Sequence, residues 1–263
     1  MFNLLRMDLY RLKRTKSLYI CLAVLLAMTI LAYWMIWRFQ DPEGLGVGEM
    51  SLELQSTVET LKSYDLLMMF RDSGIDGGVF TTITGILAAL FVSLDFSSGF
   101  MKNIMALHRD RWKYVASKLL TAGILNFVFL AALLVYNLLV NTCFGTLVPN
   151  SAVDSLAFYF VHTWTVSMGF SALFILVILL TRSSAMGVAA VLILGSGLGQ
   201  TLLLNFTALF HMTEWCDYTL YANLSYGPVR YSGMADWKGA VVGLVFSAVY
   251  SLLACVVLTR RDI

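Results

Sequence analysis

Asp95-Phe-Ser-Ser-Gly99-Phe100-Met101-Lys102-Asn103-Ile104-Met105-Ala-Leu-His108-Arg109-Asp-Arg111-Trp-Lys113-Tyr-Val-Ala-Ser-Lys118 joins two apolar segments of this chain. The connection is short, basic and amphipathic. A purely structural connector needs only a few polar residues. This one is built to touch something, and the side of the membrane on which it lies decides the topology.

The flanking segments set the class. Of 263 residues, 59% are hydrophobic and only 13% charged, and the mean hydropathy is +0.78. Soluble domains are about half apolar and a quarter charged, so this composition excludes an ordinary soluble core. A membrane-spanning helix needs roughly 20 apolar residues, because the hydrocarbon layer is about 30 Å thick and each residue rises about 1.5 Å. Six segments meet that length: about Ser17–Trp37, Gly77–Leu94, Val115–Val140, Leu156–Leu180, Ala185–Phe210 and Gly239–Leu258. The first follows basic residues, as a signal peptide would. Its apolar run is too long for that, and no small-residue cleavage site follows, so it reads as a retained span. The expected fold is an all-α integral membrane protein with six transmembrane helices in one domain, residues 1–263.

Six spans put both termini on one side, and the distribution of Lys and Arg chooses it. Thirteen of the 18 basic residues fall with the termini and the 95–114 loop; only Arg38, Lys62, Arg71, Arg230 and Lys238 fall opposite. Four of the 16 acids, Asp8, Asp95, Asp110 and Asp262, share the termini's side, which makes that side +9 and the other −7. Both termini and the opening loop are therefore expected in the cytoplasm, with residues 38–76 and 211–238 outside.

Residues 1–16 read as an interfacial helix. Phe2, Leu5, Leu9 and Leu12 share one face, while Arg6, Lys13 and Arg14 lie largely off it. The outer segment 38–76 begins as a Gly/Pro loop, and residues 51–70 look helical, with Leu54, Val58 and Leu61 on one face. The segment 211–238 is rich in Trp and Tyr. Its Tyr226-Gly227-Pro228 turn fits a hairpin dipping partly into the outer leaflet. No repeat of fixed period is present.

No catalytic or metal-binding set emerges. His108, His162 and His211 lie on separate segments, and there is no Walker A loop, no H-E-x-x-H and no G-x-S-x-G. Cys21 and Cys255 fall in spans; Cys143 and Cys216 both fall near the outer face, and two unpaired thiols is the simpler reading. Asp95, Lys118, Glu214 and Lys238 sit at span ends, where they are expected to snorkel toward the headgroups. The interior is otherwise free of charge. The chain thus lacks an energy source of its own, and a separate motor subunit would supply it. Gly195-x-x-x-Gly199 offers a small-residue face in the fifth span for chain packing or a subunit interface, followed by Gln200 and Asn205. Thr81, Thr84 and Gly85 give the second span a mildly polar, small face. These two faces are candidates for a pathway, and such walls suit an amphipathic or apolar cargo better than an ion. Asn126 and Asn137 in the third span are expected to bond neighbouring helices.

The 95–118 connection resembles the signature of ABC type-2 transporter permeases. Its Asp95-Phe-Ser-Ser-Gly99-Phe-Met-Lys102-Asn103 and His108-Arg109-x-Arg111-x-x-Tyr114-x-x-x-Lys118 match a family pattern. In that pattern an acid closes the second span, a Gly starts a coupling helix and an Arg…Lys stretch enters the third span. The usual Pro before the Arg is absent, and His108 stands near that place. The basic N-terminal helix, the re-entrant segment before the sixth span and the Arg260-Arg261-Asp262-Ile263 ending are similar too. The wording D-F-S-S-G-F-x-K-N looks most like permeases of antimicrobial-peptide immunity systems, of the lantibiotic or bacitracin kind. The resemblance implies two permeases, identical or paralogous, each docked on a cytoplasmic ATPase that carries ATP and Mg. It implies a coupling helix at about Gly99–Leu107, inserted in an ATPase groove by Phe100, Met101, Ile104 and Met105, with Gly99, Lys102, Asn103, Arg109 and Arg111 completing the contact. It also implies a bacterial plasma membrane, lipid contact, a peptide or hydrophobic substrate, no cofactor on this chain and no nucleic acid. The competing expectations are an ion-coupled carrier and a non-transporting scaffold or sensor.

Overall fold

The computed structural model describes residues 2–40, 63–101, 111–210 and 213–260. The described residues are mostly helical, and none of them forms a strand. Helix α1 (Phe2–Arg14) meets α2 (Lys16–Gln40) at Thr15, whose hydroxyl donates to the Leu12 carbonyl and closes the turn. Next come α3 (Leu66–Asp72), a 3-10 turn at Asp76–Gly78, and α4 (Val79–Ser97). Helices α5 (Arg111–Cys143) and α6 (Val153–Thr181) follow. Then come α7 (Ser184–Gly195), α8 (Leu198–Leu209), α9 (Leu220–Ser225) and α10 (Lys238–Arg260).

Among the described residues, five helical stretches are long and apolar enough to cross a membrane, and the bent pair α7–α8 makes a sixth if it is one span. The central one is α6, the most buried of them. Its partner is α10, and glycine lets the two backbones touch: a methyl on Gly243 would lie 2.7 Å from the Thr165 carbonyl oxygen. Helix α2 shows most of its apolar surface outward, including Ile20, Val24, Leu31 and Trp34. That exposure suits lipid and not water. Interhelical amide bonds meet the expectation for the third span. Asn126 donates to the Ser167 carbonyl and to Ser171 Oγ, and Asn137 pairs with Ser73.

Two spans are discontinuous where the sequence reads as continuous or external. The second does not begin at Gly77. Asp65 caps α3 by accepting from the Met68 N–H (3.0 Å), and α3 buries Leu66, Leu67, Met69 and Phe70 in the bundle. Apolar residues thus carry the span back to Leu66, where the Arg71, Asp72 and Asp76 charges mask it in a hydropathy reading. Gly77 and Gly78, at φ +70° and +73°, make the break, a left-handed conformation that glycine adopts without a Cβ clash. The fifth span breaks at Ser196-Gly197, with Gly197 at φ +83°, and the two halves diverge by 60°. Gly195 and Gly199 consequently do not line one helix face; they lie on either side of the bend. The expected helix over 51–70 is described only from residue 63 onward, and the rest lies outside the described residues.

The segment before α10 re-enters the bundle. At the start of α9, Leu220 packs 2.8 Å from where a Gly169 methyl would stand. Just beyond its end, Gly227 lies against His162. The two α6 residues are seven apart, so α9 climbs about 10 Å beside α6 before α10 begins at the His162 level. Its backbone is satisfied inside protein: Thr219 caps it through the Ala222 N–H, and Arg71 donates to the Ser225 carbonyl. Irregular backbone within an apolar layer requires such partners.

Candidate functional site

The ends of the opening connection converge on a buried ionic junction. Asp95 lies in the last turn of α4, and Tyr114, Ser117 and Lys118 lie in the first two turns of α5. Lys118 Nζ lies 2.7 Å from Asp95 Oδ2 and 2.8 Å from Asp8 Oδ1. Tyr114 donates to Asp95 Oδ2 (3.0 Å), and Ser117 donates to Asp8 Oδ2 (2.9 Å). Arg11 donates to the remaining Asp95 oxygen at 2.8 Å. Asp8 and Lys118 are each 2% exposed and Asp95 is 0% exposed. Two carboxylates thus meet two cations with no net charge. Buried charges persist when paired and hydrogen-bonded in this way. Phe91 covers the group, with Lys118 Nζ 4.2 Å from its ring centre.

This junction corrects the expectation that Asp95 and Lys118 snorkel. Both lie at helix ends, yet both turn inward because α1 brings charged partners to them. Helix α1 has three faces, not two. Leu4, Asp8 and Leu12 pack against the bundle; Leu5 and Leu9 lie half-buried beside them, with Phe2 83% exposed; Arg6, Lys13 and Arg14 are exposed. The end of α10 reaches the same end of the bundle, since Arg111 donates to the Leu258 carbonyl.

Of the expected motor-contact residues, Gly99, Phe100, Met101 and Arg111 are described. Lys102, Asn103, Ile104, Met105 and Arg109 lie outside the described residues. Gly99 at φ +69° turns the chain out of α4, and helix resumes at Phe100. The Phe100 ring stacks under the Arg11 guanidinium, 4.4 Å from its centre. Met101 is 1% exposed within the core. Met101 therefore spends its apolar surface on its own chain, while Phe100 is only half-buried against Arg11 and the core.

The small and hydroxyl-bearing residues gather where the breaks of the second and fifth spans meet. Thr81 Oγ1 donates to the Gly78 carbonyl (2.9 Å) and to the Gly195 carbonyl (3.2 Å). A methyl on Gly78 would overlap the Gly195 oxygen, and one on Gly197 would overlap the Tyr221 ring of α9. Thr84 bonds its own helix at the Phe80 carbonyl, and Gly85 lets Phe174 of α6 approach to 2.5 Å of a would-be methyl. Thr81, Thr84, Gly85 and Gly195 are thus packed inside one chain. Gly199 and Gln200 face elsewhere, and Asn205 is exposed on α8.

Gly199 and Gln200 line a recess of about 170 Å³ with Leu203, Tyr221, Phe246 and Tyr250. A groove of about 660 Å³ adjoins it, sharing Thr219 and Phe246 and adding Glu214, Trp215 and Tyr218. Gln200 is held in place: its Oε1 accepts from Thr219 (2.7 Å). The walls are apolar and aromatic, with the Gln200 amide, the Thr219 hydroxyl, the Glu214 carboxylate and the phenols of Tyr218, Tyr221 and Tyr250 among them. Lys238 Nζ sits 4.1 Å from the Tyr218 ring centre nearby. Such a surface can hold an amphipathic molecule. Among the described residues no group of His, Cys, Asp and Glu could hold a metal ion. Cys216 is buried with its sulfur 3.2 Å from Thr207 Oγ1, while Cys143 is exposed, and neither forms a disulfide.

The family model described as ABC-2 family transporter protein matches residues 4–199 of this chain. The match runs from the N-terminal helix into the broken fifth span, and so includes the ionic junction and the 95–118 connection. A comparison with curated proteins finds no match.

Proposed function

The chain belongs to the ABC-2 transporter family, a multi-pass transmembrane permease subunit of a bacterial ABC transporter, and from that premise we propose that it exports amphipathic substrates, such as antimicrobial peptides, using ATP hydrolysed on a separate partner. The family's membrane subunits are ordinarily non-catalytic and associate with an ABC ATPase. In this reading both termini and the 95–118 connection face the cytoplasm, as the charge asymmetry favours. Two permeases, identical or paralogous, pair over two ATPases. The segment from Gly99 to about Leu107 enters an ATPase groove through Phe100, Ile104 and Met105, with Lys102, Asn103, Arg109 and Arg111 as polar contacts. Closure of the motors pulls on α4 and α5 together. That motion reaches the break where Gly78 meets Gly195, and so moves the second and fifth spans relative to each other. An amphipathic cargo fits the aromatic groove beside Gln200 better than an ion does.

The observation that carries the reading is the ionic junction. It ties both ends of the connection into a buried, charge-balanced unit, so a pull on the loop is transmitted as displacement and not absorbed as flexing. The test is co-purification with the ATPase encoded beside this chain, followed by hydrolysis in liposomes. The chain alone is expected to hydrolyse no ATP. Ile104→Asp should release the ATPase or abolish the permease-dependent part of its hydrolysis. Unchanged stimulated hydrolysis in that variant would refute the docking reading. Transport in ATP-depleted vesicles under an ion gradient would replace it with an ion-coupled carrier.

A further inference from the structure

We infer that α1 is a moving part of the drive mechanism: Asp8 and Arg11 are positioning residues that lock α1, the end of α4 and the start of α5 into one rigid joint. This rests on reading the 95–118 connection as the drive point, and goes beyond it by assigning work to a helix otherwise explained as lying on the membrane.

The geometry singles out α1 as a clamp. Asp95 alone takes bonds from two elements: Arg11 of α1 on Oδ1, and Tyr114 and Lys118 of α5 on Oδ2. Lys118 alone bridges two elements: Asp8 of α1 and Asp95 of α4. Ser117 adds a second bond from α5 to Asp8. The three elements are therefore linked pairwise, α1 to α4, α1 to α5 and α4 to α5, by charge-assisted bonds of 2.7–2.8 Å. Three bodies joined pairwise through Asp8, Asp95 and Lys118, which are buried, and Arg11, which is half-buried, cannot hinge independently without separating a buried charge from a partner, which is disfavoured in a low-dielectric interior. A helix that only floated in the headgroup layer would have no use for Asp8. An aspartate in the middle of its protein-facing stripe, flanked by Leu4 and Leu12, costs desolvation that an apolar residue would avoid. The Arg11 guanidinium also rests on Phe100, the first helical residue after Gly99, so α1 touches the connection itself.

The charge balance supplies a discriminating variant. Asp8→Asn with Arg11→Gln removes one negative and one positive charge, leaving Lys118 paired with Asp95. This double variant keeps the junction neutral while cutting both links to α1. It is expected to unfold at the wild-type temperature as the isolated subunit and to retain its ATPase on co-purification. Its permease-dependent ATP hydrolysis should fall by about 5- to 150-fold, the usual range of a coupling between sites. Asp8→Glu alone, which keeps the charge and Arg11 and can still reach Lys118 and Ser117, should keep wild-type hydrolysis. A spin-label pair at Arg6→Cys in α1 and Trp112→Cys in α5, both exposed positions, gives a readout independent of the double variant. Their distance should stay fixed between the nucleotide-free and ATP-vanadate states of the complex, while the distance from Arg6→Cys to the exposed position Leu202→Cys in α8, beyond the bend of the fifth span, changes. Full hydrolysis in the double variant, or a change in the α1–α5 distance between the two states, overturns the joint and leaves the permease reading standing. Absence of any permease-dependent hydrolysis in the wild-type complex overturns the permease reading itself.

Discussion

Adjacent glycines at the break of the second span allow strain and contact to be separated. Gly77 and Gly78 have nearly the same left-handed φ, +70° and +73°. A methyl at Gly77 meets nothing within 4 Å, whereas one at Gly78 overlaps the Gly195 carbonyl oxygen and stands 3.0 Å from its carbon. Alanine at either site carries the left-handed penalty of about 1–2 kcal/mol. Gly77→Ala should cost little more than that. Gly78→Ala must also drive α7 away from α4, because the obstacle is backbone and cannot rotate aside. That adds an overpacking cost of about 1–3 kcal/mol. It also stretches the 3.2 Å bond from Thr81 to the Gly195 carbonyl, worth about 1 kcal/mol.

The difference between the two variants is therefore about 2–4 kcal/mol, or roughly 4–16 °C in midpoint at about 2–4 °C per kcal/mol for a chain of this size. The assay is thermal unfolding of the detergent-purified subunit, followed by tryptophan fluorescence at one scan rate, with both variants beside wild type. Gly78→Ala should melt well below Gly77→Ala. Equal midpoints would mean that the breaks of the second and fifth spans do not touch, and the transmission route through that contact would fall with them.

A second close approach tests the packing of α10 on α6. Alanine at Gly239 would overlap His162 Nε2 and lie 3.0 Å from Asn223 Oδ1, so Gly239→Ala should lower the midpoint; adding His162→Ala should recover part of the loss, and additive losses would refute the contact. For the cysteines, a water-soluble maleimide should modify Cys143 at least an order of magnitude faster than Cys216 in single-cysteine variants, and the native chain should show no mass change on reduction. Equal labelling would mean that Cys216 is not sealed against Thr207.

What the sequence disclosed follows from which signals are local. Long apolar runs with charge at their ends report spans directly, so the all-α membrane class is legible at once. Residues 66–76 escaped that logic because Arg71, Asp72 and Asp76 depress the hydropathy of a segment that nonetheless buries Leu66, Leu67, Met69 and Phe70. The break in the fifth span was hidden for the opposite reason. Gly195 and Gly199 have the spacing of a helix-packing face, and spacing cannot register that Gly197 adopts a left-handed φ between them. Met101 reads as a partner contact on an amphipathic loop, but the bundle claims it first. At the N-terminus, the stripe Phe2, Leu5, Leu9 and Leu12 meets the bundle only at Leu12, because the buried face is Leu4, Asp8 and Leu12, and in the sequence Asp8 looks like a stray acid among basic residues. Its partner Lys118 is 110 positions away, and no local pattern connects them.

The ionic junction and the two breaks together define what kind of machine this fold can be. At one end of α4 the chain is stiffened by buried charge pairs, which lose strongly if separated. Seventeen residues away, at Gly78, the regular α-helical ladder of the same span is interrupted by two left-handed glycines, and only a 3-10 bond from Gly78 N–H to the Ile75 carbonyl and a longer bond from Phe80 N–H to the Gly74 carbonyl cross the break. A helix rigid at one end and broken at the other moves as a lever, and its free end is where displacement collects. That free end touches Gly195 at the bend of the fifth span, and the bend in turn sits under Tyr221 of the re-entrant α9. Force applied at the basic connection would therefore emerge as a change in angle between α7 and α8. The aromatic groove lies on the wall that such a change reshapes, since Gly199 and Gln200 at the start of α8 form one side and Phe246 of α10 the other.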